Sequence, residues 1–209
     1  YFIYGPSFKE IIGRYIEITG RPSVPPKWAF GLWMARFGYR NREELEGICE
    51  GLRSRDVPCD VVHLDPFWLR DGHWCDLEWN EKSFPNPREM IRGLREKGFK
   101  LCLWVSPWVP ADTDMFKEGK EKGFLAKNED GSIYETGAFG GKSGILDFSN
   151  PATVKWVQGK LKRLLEMGAS VFKTDFGEGA PEEAVYQNGM AGKEMHNLFP
   201  LLYNKTFFD

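Results

Sequence analysis

The chain has 209 residues, 42% of them apolar, which is the size of one large domain with enough material for a substantial core. Its 28 basic and 30 acidic residues are spread along the whole length for a net charge of -2, so neither nucleic acid nor a membrane surface is an expected partner. No apolar run approaches the roughly 18–20 residues of a membrane span, and no basic start followed by an apolar stretch marks a signal peptide.

In chain order, Phe8, Ile11, Ile12, Tyr15 and Ile16 share one face of a helix expected over Phe8–Thr19, ended by Gly20-Arg21-Pro22. A Pro-rich connector over 22–26 leads into an expected buried strand at 28–34. Asn41 with Glu44 three residues on predicts a capping box opening a helix to about Arg53. A second strand is expected at 59–64. Asn86 is read as the cap of a helix with Pro87 at its first position and Gly98 past its end, and Lys100–Val105 as the third strand. Residues 106–144, rich in glycine and charge, read as an insertion over a pocket, with one short helix near 115–122. Asn150 and Pro151 open a helix to Met167 with Gly168 as its stop. A fourth strand follows at 170–175, and an amphipathic stretch at 193–203.

Strands alternating with helices predict a parallel sheet covered by helices. The fold class is α/β, a (β/α)8 barrel of TIM type. Only about four units can be counted, against eight for closure, so the expectation is about the first half of a barrel. Residues 1–27 would form a helical lead-in and connector, and 28–209 the N-terminal half of the barrel. With Tyr1 in place of an initiator Met, the chain is expected to be a piece of a larger enzyme.

Chemistry is expected where the apolar strand Val171-Phe172 runs into Lys173-Thr174-Asp175-Phe176-Gly177-Glu178. Charge entering the C-terminal end of a buried parallel strand needs a reason, and in α/β folds the usual one is an active site. Because strand side chains alternate, Lys173 and Asp175 share a face, as do His63 and Asp65, and Cys102 and Trp104. Three strand ends thus present Asp65, Trp104 and the Lys173/Asp175 pair to one rim. Beside an ammonium, Asp175 would stay ionised and could act as a nucleophile toward an anomeric carbon, with Asp65 either the second carboxyl group that the retaining route requires or a clamp on sugar hydroxyls. Aromatic residues beside acids, as in Trp74-Cys75-Asp76-Leu77-Glu78-Trp79, suit a sugar pocket as well as a core. The residues alone leave other readings open: a structural Lys173/Asp175 ion pair, a Mg-dependent enolase-type barrel lyase, or a non-catalytic sugar-binding fragment.

Gly31-Leu32-Trp33-Met34, the run from Asp56 through Cys59-Asp60-Val61-Val62-His63-Leu64-Asp65, Phe84-Pro85-Asn86-Pro87, Asp147-Phe148-Ser149-Asn150-Pro151 and Lys173-Thr174-Asp175-Phe176-Gly177-Glu178 together resemble glycoside hydrolase family 31. The last motif resembles the α-xylosidase branch. The resemblance implies a retaining α-glycosidase with no cofactor, acting on an oligosaccharide or α-glycoside. Asp175 would be the nucleophile, Asp65 would hold distal hydroxyls of the non-reducing sugar, Lys173 a neighbouring hydroxyl, and Trp104 would line the pocket floor. Phe67 would narrow the site against a C6 hydroxymethyl group, and Glu178 would support the nucleophile strand from behind. The family's acid/base aspartate is expected beyond Asp209, so the fragment alone should be inactive. Pro66 stands where many α-xylosidases have Cys, Phe139-Gly140-Gly141 replaces a Trp-Gln-x-Gly run, and Gly179-Ala180-Pro181 replaces Arg-Ile-Pro. These departures bear on sugar preference more than on reaction class.

Cys49, Cys59, Cys75 and Cys102 show no C-x-x-C spacing and read as free thiols in a reducing, cytoplasmic setting. His63, His73 and His196 lack an H-E-x-x-H pattern, so no metal site is expected. Asp147, Asn150 and His196 are assigned to structure. Homo-oligomerisation of the full-length protein is left open.

Overall fold

A computed structural model describes residues 1–70, 74–137 and 141–209, so His73, Phe139 and Gly140 lie outside the described residues. The chain forms two compact units, Tyr1–Phe30 and Gly31–Asp209. In the first, helix α1 (Phe8–Thr19) is capped by Ser7, whose hydroxyl accepts from the Glu10 N–H and donates to the Glu10 carboxylate. The expected strand at 28–34 does not form as such. Lys27–Phe30 is a 3-10 turn closed by Ala29 N–H donating to Pro26 C=O at 2.9 Å, because the Pro25-Pro26 pair presets a turn rather than an extended entry.

The second unit is a four-stranded parallel sheet in the order β1-β2-β3-β7, where β1 is Trp33–Arg36, β2 Val61–Leu64, β3 Lys100–Val105 and β7 Val171–Thr174. Helices α2 (Arg42–Arg53), α3 (Pro87–Glu96) and α5 (Pro151–Met167) make the crossovers, and α6 (Gly192–Phe208) follows β7. This is the sequential strand–helix order of an α/β barrel, present as four of its strands. In the register, Val62 pairs with Leu101 and Leu64 with Leu103 on the face that joins the core with Leu45, Met90, Ile91, Leu94 and Leu161. His63 pairs with Cys102, and Trp104 with Lys173, on the other face. Burying each Leu or Ile of the first set contributes roughly 1.5–3 kcal/mol, which is why the register cannot slip by one residue without exposing all of them.

Two helix starts differ from expectation. Asn41 accepts from the Glu44 N–H at 2.9 Å, but the Glu44 carboxylate turns to the Arg40 N–H and the Arg36 guanidinium instead of closing the box, drawn there by the ion pair. Asn86 makes no side-chain cap. It sits at φ 50°, a left-handed conformation that Asn tolerates, because Pro87 disfavours a right-handed residue before it; its carbonyl alone accepts from Glu89 and Met90. Asn150 caps α5 as expected, accepting from the Ala152 N–H at 2.9 Å.

Residues 106–144 contain more order than the one expected helix. Beside α4 (Asp114–Glu121) stands an antiparallel sheet in the order β4-β6-β5, from Trp108–Pro110, Ser143–Ile145 and Glu135–Thr136. It closes over Phe116, and Gly144 is required there, since a Cβ would lie 2.9 Å from the Phe116 ring. All four cysteines are buried and free, and no helix among the described residues is long and apolar enough to cross a membrane.

Helix α5 offers a paired test of this packing. Gly168 has φ +119° and a Cβ there would meet Ile91 Cγ2 at 2.7 Å, whereas Gly159 faces open space in mid-helix. In the intact protein, Gly168→Ala should lower stability to denaturant by about 1–3 kcal/mol. Gly159→Ala should raise it by up to about 1 kcal/mol, so equal shifts of one sign would contradict this account of the helix stop.

Candidate active site

The C-terminal ends of β2, β3 and β7 bring four of the expected site residues together. Trp104 Nε1 donates to Asp175 Oδ2 at 2.7 Å, and Lys173 Nζ lies 3.2 Å from the same oxygen and 3.6 Å from Asp65 Oδ2. One ammonium thus bridges two carboxylates from strands that are not adjacent, with β3 between them. The Phe176 N–H occupies the other oxygen of Asp175 at 3.0 Å. The Asp175 N–H continues the sheet to Val105 C=O, and Tyr203 of α6 donates to that same carbonyl at 3.2 Å, which fixes the strand end from behind.

Burial of Asp175 disfavours its charge, but the Trp104 N–H, the Lys173 ammonium and the Phe176 N–H together outweigh it and hold the carboxyl below its ordinary value of 3.8. The Lys173 side chain is 46% exposed and that of Asp175 32%, so solvent screens their ion pair and the neutral indole N–H carries a large part of the stabilisation. Trp104 itself is 1% exposed. Its contribution is therefore an aimed donor, with its carbonyl held by the Trp68 indole at 2.9 Å, more than an open ring face.

A cavity of about 500 Å³ opens over this cluster, lined by Asp65, Trp104, Lys173 and Asp175 and walled by Phe37, Trp74 and Phe176. Phe67 is not among its described lining residues. It stands edge-on to both Phe37 and Trp74, at 5.5 and 5.4 Å, and sets where those rings sit. Gly38 makes this possible, since a Cβ there would come within 2.8 Å of the Phe67 ring. The cluster from Trp74 to Trp79 divides: Trp74 is cavity wall, and Trp79 is core against Trp68 and Phe84. No described residue of 106–144 contributes to the lining. A wider groove between α3 and α5 is lined by Arg88, Glu89, Arg92 and Arg95, and brings no carboxylate, amine and indole to a common point.

Glu178 is exposed on the 3-10 turn Gly177–Gly179 and is not among the cavity's described lining residues. The residue that sequence reasoning passed over is His63. It is 5% exposed, and its Nε2 lies 2.7 Å from Asp65 Oδ2. The alternation that pairs His63 with Asp65 carries the signal, but a lone histidine outside an H-E-x-x-H pattern has no motif of its own to mark it. Asp147 and His196 are structural as expected: Asp147 accepts from Ser149 and Gln187, and His196 Nδ1 contacts Ala180 C=O. Among the described residues no group of three or more His, Cys, Asp or Glu side chains is placed to hold a metal ion. Lys173 itself provides the positive charge between the two carboxylates.

Comparison with known proteins follows the same lines. The TIM-barrel domain of glycosyl hydrolases family 31 matches residues 22–209. The chain is 40% identical to alpha-xylosidase XylQ of Lactiplantibacillus pentosus, over 100% of this chain and 28% of that protein. It is 36% identical to an alpha-xylosidase of Emericella nidulans, over 100% of this chain and 27% of the relative. Among solved structures, a Flavobacterium johnsoniae GH31 dextranase complexed with glucose superposes with TM-score 0.89 at 30% identity, covering 98% of this chain and 26% of the other. A GH31 alpha-xylosidase from a soil metagenome complexed with xylose gives TM-score 0.78 at 30% identity, over 88% and 27%. The chain therefore spans a little over a quarter of the curated relatives' length. By sequence match and by fold, it belongs to glycosyl hydrolases family 31 and forms part of that family's TIM-barrel domain.

Proposed function

We propose that the intact protein is a retaining α-glycoside hydrolase that releases a non-reducing terminal sugar, α-xylose ahead of α-glucose, through a covalent glycosyl-Asp175 intermediate. The observation that carries this reading is the donor set on Asp175, an indole N–H, an ammonium and a backbone N–H that keep the carboxylate ionised at the floor of the cavity. In the first step a carboxylate oxygen of Asp175 bonds to the anomeric carbon as the bond to the leaving oxygen breaks and that oxygen takes a proton. In the second, water gives up a proton and its oxygen displaces Asp175. The carboxylate must be anionic at the start and a tolerable leaving group at the end, and a lowered proton affinity serves both steps.

Retention requires a second carboxyl group as general acid/base about 5–5.5 Å from the nucleophile. Asp65 Oδ2 lies 2.7 Å from His63 Nε2 and 3.6 Å from Lys173 Nζ, and the family resemblance gives Asp65 a hydroxyl-holding role. We therefore assign Asp65 to holding sugar hydroxyls, Lys173 to a neighbouring hydroxyl, and the acid/base to a residue outside 1–209. The preference for xylose rests on the alpha-xylosidases among its relatives and on the Phe37–Phe67–Trp74 wall, which crowds the cavity beside Asp65.

In the intact protein, a fluorinated glycosyl donor should label Asp175, and Asp175→Asn should lower kcat by roughly three orders of magnitude or more. Label on another residue of an active enzyme would reassign the nucleophile. Trp104→Phe removes a donor to the carboxylate, so the Asp175 pKa rises and the acid limb of inactivation by that donor moves to higher pH. A limb that stays in place would show that the indole does not hold the charge. Aryl α-xyloside should exceed aryl α-glucoside in kcat/KM by about 10- to 200-fold, the range one additional hydroxymethyl group commands in a fitted pocket, and a preference for the glucoside would refute the narrowing role of the wall.

A further inference from the structure

We infer that His63 is a positioning residue for Asp65, and that Cys102 acts through it by fixing the imidazole tautomer. This rests on the reading of Asp65 as a sugar-hydroxyl acceptor. His63 and Cys102 are register partners on β2 and β3, one layer below the Asp65–Trp104–Lys173 level, so their side chains meet inside the fold. Cys102 Sγ lies 3.1 Å from His63 Nδ1, and His63 Nε2 lies 2.7 Å from Asp65 Oδ2. The three residues form a chain from the interior to the cavity floor.

Protonation states give that chain a direction. Burial pushes the Cys102 thiol up to about 12, against the pull of Lys173, so the sulfur keeps its hydrogen. Burial also lowers His63, beyond the opposing effect of the Asp65 hydrogen bond, so the ring carries a single N–H at neutral pH. A neutral imidazole has one donor and one acceptor. With the thiol donating to Nδ1, the hydrogen is on Nε2 and is delivered to Asp65 Oδ2.

The consequence lies in the two oxygens of Asp65. Oδ2 takes both protein donors, His63 Nε2 and Lys173 Nζ, while among the described residues none donates to Oδ1. The carboxylate is thereby turned so that one oxygen is occupied and the other is offered to the cavity. Lys173 alone, at 3.6 Å and half exposed, holds the group loosely; the buried, short contact with His63 decides its rotation. The ring also fills the layer beneath, where Ala35 on β1 is the neighbouring register partner and leaves room for it.

The test uses the intact protein with an aryl α-xyloside and a matched aryl xyloside lacking the distal hydroxyl. His63→Leu should raise KM for the first substrate about tenfold or more with kcat changed far less, as expected for losing a hydrogen bond that positions a charged group. On the deoxy substrate the same variant should lose little, because the hydroxyl held by Asp65 is missing. His63→Gln, which keeps an N–H near the Nε2 position, should recover most of the loss, and His63→Asn should not. Should His63→Leu fail to fold, Cys102→Ser and Cys102→Ala carry the test: serine keeps a donor to Nδ1 and should keep KM, whereas alanine should raise it. The inference is overturned by an unchanged KM in His63→Leu, by equal damage from Leu and Gln, by equal effects of the two Cys102 variants, or by a KM effect that persists on the deoxy substrate. If instead Asp175→Asn retains full turnover, it is the glycosidase reading that fails, and the two failures are distinct.

Discussion

Parallel pairing in phase across β1, β2, β3 and β7 is the constraint on which the site depends. In a parallel ladder, register partners point the same way, so His63, Cys102 and Val171 form one inner layer and Trp104 with Lys173 the next. The apolar partners Val62–Leu101 and Leu64–Leu103 fix that register by burial on the opposite face. Asp65 and Asp175, from strands with β3 between them, come within reach of one lysine because these layers are level. A one-residue slip of β7 would turn Lys173 and Asp175 toward the helices and bring Phe172 and Thr174 inside.

Positive charge in the site is supplied within the chain and partly in contact with solvent, which shapes its electrostatics. A fully buried ion pair would lock Asp175 at a large desolvation cost, whereas an exposed ammonium together with a neutral indole stabilises the anion and leaves Lys173 able to turn to a sugar hydroxyl. Asp65, deeper and held by a buried imidazole, is the rigid member of the trio. The aromatic wall is arranged on the same principle at one remove: Phe67 does not line the cavity but determines where Phe37 and Trp74 stand, and Gly38 provides the space for it.

Elements with strong local signals were legible before any coordinates. The spans of α1, β3 and α5 match the expectation from apolar periodicity and from Asn150-Pro151 and Gly168, since those signals act within a few residues. Where a second determinant competes, reading the sequence fails. The strand expected from residue 28 begins at Trp33, where pairing to Val61 becomes available, and Asn86 gives up its capping role because Pro87 dictates its backbone. The antiparallel sheet within 106–144 was missed because its strands of two and three residues, among glycines and charges, carry too little periodicity to register.

What the sequence by itself determined is the strand–helix alternation, the parity that places Asp65, Trp104, Lys173 and Asp175 on one rim, and the family, because period-2 alternation and motif order are properties of the linear chain. What only the tertiary structure decided is which groups touch: that Trp104 is a donor to Asp175, that Lys173 spans two carboxylates, that Trp74 is wall while Trp79 is core, and that His63 reaches Asp65. Alternation gives the face a side chain points to, but contacts between strands depend on the stagger between them, and that stagger is set by the packing of helices and sheet as a whole.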